Sequence, residues 1–293
     1  MNLNNPYKRL DIFRCNHESH ADFEGRVSVF HVLKEKKCYP DGCLSFIWNC
    51  TLLNKGKPCI HKYRTVGKSC KGCTYFVDDK IHFQPECIVD DEMYEQFLEE
   101  LETFETWLER IRYKRVSVAG RIRSIKPHFT RLLYKNETHT RLRGYLLVLK
   151  PAYIEMDCFQ DPLYVRISEG QMKALDFIPK MKIECTGELR MDRGRLILHK
   201  PGRFEIMKRG WGRSWTRERA LVTIKTAKQL DSQPAQCLAC PWGALVDTED
   251  HRDPEHPFRR SLFCLKSVED YRGCYIHAVR KQKRRKRKMQ TSK

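Results

Sequence analysis

The sequence lacks long hydrophobic runs. Its longest uninterrupted apolar stretch has five residues, from Tyr145 to Leu149, within a chain of 293. A helix that crosses a bilayer needs about 20 apolar residues. The first residues also lack the apolar stretch of a secretory signal. We therefore expect an intracellular, cytoplasmic protein that does not associate with membranes.

Motifs of common catalytic sites are also missing. The chain has no G-x-S-x-G turn, no Gly-rich phosphate loop with Lys and Ser/Thr, no H-E-x-x-H and no H-x-E with P-C-x-x-C. The acid-rich stretch 247–256 could hold a divalent ion, but two prolines and the lack of apolar periodicity favour an exposed loop. We expect a non-enzymatic protein. The alternative is an enzyme built on an iron–sulfur centre or on residues that converge from separate elements.

Positive charge is abundant and unevenly distributed. The chain carries 56 Lys+Arg against 37 Asp+Glu, a net charge of +19. Residues 280–293 contain nine basic residues and no acidic ones, and residues 113–219 have a net charge of +13. Because like charges in a run repel one another, we expect 280–293 to be a disordered tail. It could contact phosphates, direct the protein to the nucleus or nucleoid, or simply increase solubility.

Residues 89–112 are acidic instead, with nine acidic residues against two arginines. Apolar residues recur there at steps of three or four, which predicts one amphipathic helix within the segment 89–113. These residues are Met93, Phe97, Leu101, Phe104, Leu108 and Ile111. Its apolar face should pack on a neighbouring domain, or alternatively dock a partner protein, and its charge should keep it away from nucleic acid.

The 14 cysteines are clustered. Cys158 and Cys185 are isolated, and we expect both to be buried as small apolar residues. The other twelve lie before residue 90 or after residue 236. In a chain without an export signal, such clusters favour metal binding over disulfides.

The C-terminal cysteines define a candidate metal module at 220–279. Cys237 and Cys240 form a C-x2-C knuckle, which presents two thiolates to one ion, and Cys264 and Cys274 can complete a tetrahedral site. Buried free thiols are the alternative.

A second Cys-rich module is expected at residues 1–88, and its ligand pairing cannot be assigned from spacing. Cys70 and Cys73 form another knuckle. The remaining candidate ligands around it are Cys38, Cys43, Cys50, Cys59 and Cys87, with His17, His20, His31 and His61 within reach in sequence. Thiolates bind both zinc and iron–sulfur clusters. We expect zinc at two sites in the chain, because small modules with little core need metal staples, and keep a [4Fe–4S] cluster as the alternative.

From residue 114 the apolar periodicity changes to two. Strands are predicted at 116–125, 144–154 and 163–167, then a short helix that begins at Ser168 with Gln171 completing a capping box. Two further strands, 181–190 and 195–206, are joined by a turn that contains Asp192, Arg193 and Gly194.

The segment 114–207 resembles the OB-fold in its element order, in the glycine inside the first strand (Gly120) and in its closing hairpin. The resemblance covers about a third of the chain and rests on no family-specific motif. It implies a fold that is α+β and mainly β, with a central five-stranded OB-like barrel at 114–219 flanked by the two Cys-rich modules and the acidic helix. It also implies binding of oligonucleotides or oligosaccharides across strands 2 and 3, flanked by the loops after strands 1 and 4. The first of these loops is 124–143, and the second contains Arg190, Arg193 and Arg195.

Basic and aromatic side chains are concentrated on those predicted elements, which favours single-stranded DNA or RNA as the ligand through phosphate neutralisation and base stacking. The candidate residues are Arg121, Arg123, Lys126, Phe129, Arg131, Tyr134, Lys135, Arg141, Arg143, Tyr164, Arg166, Arg190, Arg193, Arg195, Trp211 and Trp215. The two tryptophans could instead anchor the segment after the barrel.

Alternative functions are an iron–sulfur protein with a redox or nucleic-acid-processing role, and a scaffold subunit of a larger nucleoprotein assembly. DNA against RNA, sequence preference and oligomeric state stay open.

Overall fold

The computed structural model describes residues 1–17, 20, 25–252 and 258–278. The basic tail 280–293 lies outside these residues. Within them, no helix is long and apolar enough to cross a membrane. The fold is α+β and mainly β, and its contacts divide the chain into two units, Pro6–Glu99 and Met1–Asn5 with Glu100–Lys293.

The strands are β1 (Asn2–Leu3), β2 (Phe13–Arg14), β3 (Arg26–Val27), β4 (Cys43–Cys50), β5 (Phe76–Phe83), β6 (Glu86–Cys87), β7 (Arg115–Leu133), β8 (Thr138–Ile154), β9 (Asp157–Phe159), β10 (Leu163–Ile167), β11 (Lys182–Asp192), β12 (Arg195–Lys208), β13 (Lys228–Gln229), β14 (Gly243–Asp250) and β15 (Phe258–Cys264). The α-helices are α1 (Thr51–Asn54), α2 (Asp91–Ile111), α3 (Glu169–Leu175), α4 (Arg217–Thr226) and α5 (Ala235–Leu238). Short 3-10 helices cover Pro6–Lys8 and Lys68–Cys70, and a π-helical turn covers His31–Glu35.

The unit Pro6–Glu99 contains two small sheets, β3–β2–β6 and the antiparallel pair β4–β5. Aromatic rings pack together in its core. The fully buried ring of Phe13 lies 5.0 Å from the ring of Tyr39 and 6.5 Å from that of Phe97, measured between centroids. Tilted and edge-on aromatic packing of this kind lets a small unit bury apolar surface with few residues.

Helix α2 confirms the helix predicted for 89–113. Asp90 caps it, because its Oδ1 accepts a hydrogen bond from the Met93 amide at 2.8 Å. Of the six predicted apolar positions five are buried, and Met93 is exposed. Near its end, the Trp107 indole donates to Asp157 at 3.0 Å and its ring stacks on Phe159, which fixes this half of the helix on the larger unit.

The main sheet corrects the predicted fold. It contains ten strands, in the order β1–β9–β8–β10–β12–β11–β7–β14–β15–β13, with β7 also paired to β8. The expected five-stranded OB-like barrel is therefore wrong. The physical reason is the length of β7 and β8, which have 19 and 17 residues. The first part of β7 lies between β11 and β8, and its last part, Phe129–Leu133, pairs with β14.

The segment 124–143, expected to be a binding loop, is mostly strand. β7 continues to Leu133, and β8 returns from Thr138 with Thr130 opposite Arg141. Gly144 has a φ of +118° next to a register shift, and a Cβ there would lie 2.2 Å from the Ile167 carbonyl oxygen. Only glycine fits this position.

Local predictions in the next segment are confirmed. Ser168 and Gln171 form the capping box of α3, and β11 pairs with β12 across the predicted turn. Cys185 is fully buried, as expected, whereas Cys158 is only half-buried.

The C-terminal segment 220–279 adds strands to the main sheet. β14 runs parallel to β7 with Val246 opposite Phe129, and β15 pairs with both β14 and β13. Asp247 to Asp250 belong to β14, so the exposed loop expected at 247–256 is wrong for these four residues. Residues 253–257 lie outside the described part of the chain.

Candidate nucleic-acid interface and cysteine clusters

A cavity of about 310 Å³ opens in the main sheet, and we call it the arginine pocket. Seven strands line it, because β7, β8, β10, β11, β12, β14 and β15 each contribute at least one side chain. The lining residues are His128, Leu146, Tyr164, Arg166, Arg190, Met191, Asp192, Arg195, Ile197, His199, Leu245, Asp247 and Arg260.

Strand alternation explains which side chains reach the pocket. On β10, Tyr164 and Arg166 point into it, while Leu163, Val165 and Ile167 between and beside them are buried in the core. On β12, which pairs in parallel with β10, Arg195, Ile197 and His199 follow at steps of two. A period of two places residues of one strand on one face of a sheet.

Arg260 bonds to both carboxylates of the pocket. Its Nε and Nη2 donate to Asp247 at 2.6 and 3.2 Å, and its Nη1 donates to Asp192 at 2.8 Å. His128 Nε2 also lies 3.4 Å from Asp247. Burial alone would raise the pKa of Asp247, but the hydrogen bonds from His128 and Arg260 hold it well below its usual range.

Two guanidinium groups in the pocket have no such partner. Within the described residues, neither Arg166 nor Arg195 has a side-chain hydrogen bond or an ion pair, whereas Arg190 donates to Glu188 at 2.7 Å. Burial lowers the pKa of Arg195 from its ordinary value, although an arginine keeps its charge in proteins. Burial also raises the pKa of the neighbouring Tyr164 phenol, against the opposite effect of Arg195.

Four of the sixteen predicted nucleic-acid-binding residues line the pocket, namely Tyr164, Arg166, Arg190 and Arg195. The exposed ones outside it are Arg121, Arg123, Tyr134, Lys135, Arg141, Arg143, Arg193 and Trp211. Arg131 is half-buried, with its guanidinium 5.4 Å from the centroid of the Phe263 ring.

Three residues that were predicted to contact nucleic acid are buried instead. Phe129 is fully buried in β7, where alternation makes it a core residue. Trp215 is buried, and its indole donates to the Ile125 carbonyl at 3.0 Å, so it anchors the segment after β12. Lys126 is buried, and its Nζ donates to the carbonyls of Leu238 and Gly243 at 2.6 and 2.7 Å. None of the three is accessible to a nucleic acid.

Sequence reasoning missed Arg260, Asp247, His128 and His199 as pocket residues. Arg260 and Asp247 lie in a segment that was expected to form a separate metal module. Their only local signal is the short apolar runs within 243–250 and 258–264, which are compatible with strands but do not give the strand that each one joins.

The C-terminal cysteines converge around a tight turn. The amide of Cys240 donates to the Cys237 carbonyl, and the amide of Gly243 donates to that of Cys240, both at 3.1 Å. Cys264 lies in β15 directly opposite Gly243. Burial, together with the nearby thiols of Cys240, Cys274 and Cys264, raises the pKa of Cys237 to about 11. The four predicted ligands thus share one neighbourhood, which we call the C-terminal cluster.

The N-terminal cysteines divide into two groups. Cys43 and Cys50 lie at opposite ends of β4, which places them about 23 Å apart at the usual rise of a strand. They cannot bind the same ion. Cys59, Cys70 and Cys73 lie in the connection from the Cys50 end of β4 to β5, and the Cys73 carbonyl accepts from the Phe76 amide opposite Cys50. We call Cys50, Cys59, Cys70 and Cys73 the second N-terminal cluster.

The first N-terminal cluster consists of Cys15, Cys38, Cys43 and Cys87. Burial raises the pKa of the Cys38 thiol, and the neighbouring thiols of Cys43 and Cys15 add to this. Cys87 pairs with Phe13, two residues before Cys15 on β2. Cys15 was missed as a candidate because it lies far from the others in sequence.

Three histidines lie close together in the same unit. The ring centroids of His17 and His20 are 5.5 Å apart, and those of His20 and His31 are 5.0 Å apart. Burial, with the neighbouring His31 and His17, lowers the pKa of His20 to about 4. In the described part of the chain, no three Cys, His, Asp or Glu side chains already stand at metal-coordinating positions.

In comparisons with known proteins, no family model, no curated protein and no solved structure matches this chain.

Proposed function

We propose that this protein binds single-stranded nucleic acid at the arginine pocket. One observation carries the proposal: beside the ring of Tyr164, Arg166 and Arg195 present two guanidinium groups that have no side-chain hydrogen bond or ion pair among the described residues. Holding a partly buried cation without a partner costs free energy. An anionic ligand would offset this cost.

The surroundings of the pocket suit a nucleic acid better than a small inorganic anion. Leu146, Ile197 and Leu245 give it apolar walls against which a base can pack, and guanidinium groups bind phosphate through paired hydrogen bonds. The central segment 113–219 carries a net charge of +13, which attracts a polyanion over longer distances.

Binding of a fluorescent single-stranded oligonucleotide, followed by anisotropy at several salt concentrations, tests this proposal. The double variant Arg166→Met/Arg195→Met should bind at least 10-fold more weakly. Its plot of log affinity against log salt should flatten by about 0.7 for each lost phosphate contact. Arg209→Met is the matched control, because Arg209 is exposed and does not line the pocket. Unchanged affinity and slope in the double variant would remove the pocket from the interface.

Zinc is the cofactor we propose for the three cysteine clusters. Each cluster supplies four thiols, the set that a closed structural zinc site uses. Sequence spacing led us to expect two sites, and the length of β4 is what supports a third. Elemental analysis of the purified protein should give about three zinc ions per chain and no visible absorption. Iron with a brown colour would instead favour the iron–sulfur alternative.

A further inference from the structure

We infer that Lys126 is a built-in counter-ion of the C-terminal cluster: its ammonium group offsets part of the negative charge of four metal-bound thiolates and thereby strengthens zinc binding at this cluster. The inference rests on the zinc proposed above and names the charged group that this site uses. Lys126 lies on β7, whereas all four cysteines of the cluster follow residue 236. A side chain of the central segment thus contributes to the metal affinity of the C-terminal one.

The ammonium group of Lys126 is buried without a carboxylate beside it. The residue is 6% exposed, and among the described residues no Asp or Glu forms an ion pair with its Nζ. Burial lowers the pKa of Lys126 to about 8, while the thiols of Cys240 and Cys237 act against this shift and Arg195 acts with it. A buried cation costs free energy unless an opposite charge compensates it. Of these neighbours, only the two cysteines can carry a negative charge.

Two hydrogen bonds hold the ammonium group against the cysteine turn. Nζ donates to the Leu238 carbonyl at 2.6 Å and to the Gly243 carbonyl at 2.7 Å. Leu238 stands between the two cysteines of the C-x2-C knuckle, and the Gly243 amide donates to the Cys240 carbonyl at 3.1 Å. Carbonyl groups satisfy N–H donors but carry no net charge. These contacts therefore place the positive charge beside the knuckle and leave it uncompensated.

A metal in the C-terminal cluster supplies the missing negative charge. Each metal-bound cysteine is a thiolate, so four of them around one divalent ion leave a net charge of about −2. Cys237, Cys240 and Cys274 are buried, and a buried dianion is itself costly. Opposite charges that lie close together in a poorly solvated environment attract strongly. Lys126 and the metal–thiolate group therefore stabilise one another.

A purely structural role of Lys126 leads to different expectations. If only its two hydrogen bonds mattered, a neutral donor of similar length would replace the ammonium group without loss of zinc affinity. If the charge matters, the same neutral donor still weakens zinc binding. Glutamine is such a donor, because its amide has two N–H groups and no charge. Lys126→Gln therefore separates the two roles.

The test measures zinc retention by the full chain in competition with a chelator of known zinc affinity. Cys237→Ser first identifies the zinc ion that belongs to the C-terminal cluster. Lys126→Met and Lys126→Gln should each weaken binding of this ion about 10- to 100-fold, the range for groups outside the ligand set that contact a metal site, and leave the other zinc ions unchanged. The weakening should persist at high salt, because buried charges are poorly screened. Lys208→Met, at an exposed lysine of β12, is the control and should keep all zinc.

The outcomes separate this inference from the proposed zinc site. Zinc loss in Cys237→Ser together with wild-type zinc affinity in either Lys126 variant overturns the inference and leaves the site intact. Equal weakening of every zinc ion in the chain means a general loss of structure and also overturns it. If Cys237→Ser removes no zinc, the proposed site fails and the inference fails with it. If Lys126→Met does not fold, Lys126→Gln alone decides.

Discussion

Replacing Arg260 by methionine should destabilise the protein by about 2–3 kcal/mol. Arg260 is 13% exposed and makes three charge-assisted hydrogen bonds, two to Asp247 and one to Asp192. Hydrogen bonds to charged groups contribute about 1.5–3 kcal/mol each. The side chains of Asp247 and Asp192 are 35% and 36% exposed, so water and salt screen part of this interaction. The expected total therefore lies well below three full bonds.

Urea unfolding at pH 7 measures this loss, and three further variants locate its cause. Arg260→Lys keeps the charge but cannot bridge both carboxylates, so it should recover only part of the stability. Asp247→Asn should itself destabilise, and adding it to Arg260→Met should cost clearly less than the two separate losses combined. Strictly additive losses, or a change below about 0.5 kcal/mol for Arg260→Met, would refute the idea that Arg260 compensates the pocket carboxylates.

The pH dependence of the same variant has a definite sign. The folded-state pKa of Asp247 is held below its unfolded value. Its contribution to stability is therefore present above the unfolded pKa and is lost as the pH falls through that value toward the folded one. The low pKa has two causes, the hydrogen bond from His128 and the hydrogen bonds and charge of Arg260. Arg260→Met removes the second, so the variant should lose less stability than the wild type on acidification below about pH 4.

Three other perturbations have clear expected results. Asp250 accepts hydrogen bonds from Arg252, which lower its pKa to about 2, so Asp250→Asn should reduce the loss of stability between about pH 4 and pH 2; an unchanged acid-unfolding curve would contradict this. Cys237→Ser should remove one zinc ion per chain in elemental analysis, with Cys185→Ser, in the core, as the variant that keeps all zinc. Gly144→Ala should destabilise by at least about 2 kcal/mol in urea unfolding, since a Cβ there meets the Ile167 carbonyl in a left-handed backbone conformation.

Elements with local signals could be predicted from the sequence. The acids and apolar spacing of 89–113 specify α2, and the Ser168–Gln171 capping box specifies the start of α3. The turn at 192–194 brings β11 and β12 together because both strands alternate on either side of it. In each case the deciding contacts lie within a few residues or across one tight turn.

The ten-stranded sheet could not be predicted in the same way. Its decisive pairing joins Val246 on β14 to Phe129 on β7, more than one hundred residues apart in the chain. Alternation shows that such segments are strands but not which strand each will join. The basic residues at 124–143 also concealed the strand pattern, because an arginine on the exposed face of a strand is easily taken for a loop residue.

In the candidate site, too, residues with local signals could be predicted and residues placed by distant strand pairing could not. Tyr164 and Arg166 could be predicted, since the alternation of β10 fixes their face, and Arg195 was predicted from its place at the turn between β11 and β12. The prediction that Lys126 contacts nucleic acid was wrong. Its charge is buried against the carbonyls of Leu238 and Gly243, which reach it only because β14 pairs with β7. Asp247 and Arg260 could not be predicted as pocket residues, because they reach the pocket only through the pairing of β14 with β7 and of β15 with β14.

One strand register positions both the pocket residues Asp247 and Arg260 and the C-terminal cluster. In the β14–β15 pair, Asp247 lies directly opposite Arg260, and four residues away Gly243 lies directly opposite Cys264. A shift by one residue would turn the side chains of a strand to the other face. Such a shift would separate the Asp247 carboxylate from the Arg260 guanidinium. At the same time it would move Cys264 away from the Cys237–Cys240 turn. The buried Nζ of Lys126 holds that turn against β7 from the other side. A metal in the C-terminal cluster would therefore favour the same register that places Arg260 against Asp247 and Asp192. Because Arg260 bonds to these carboxylates, Arg166 and Arg195 remain available for an anion.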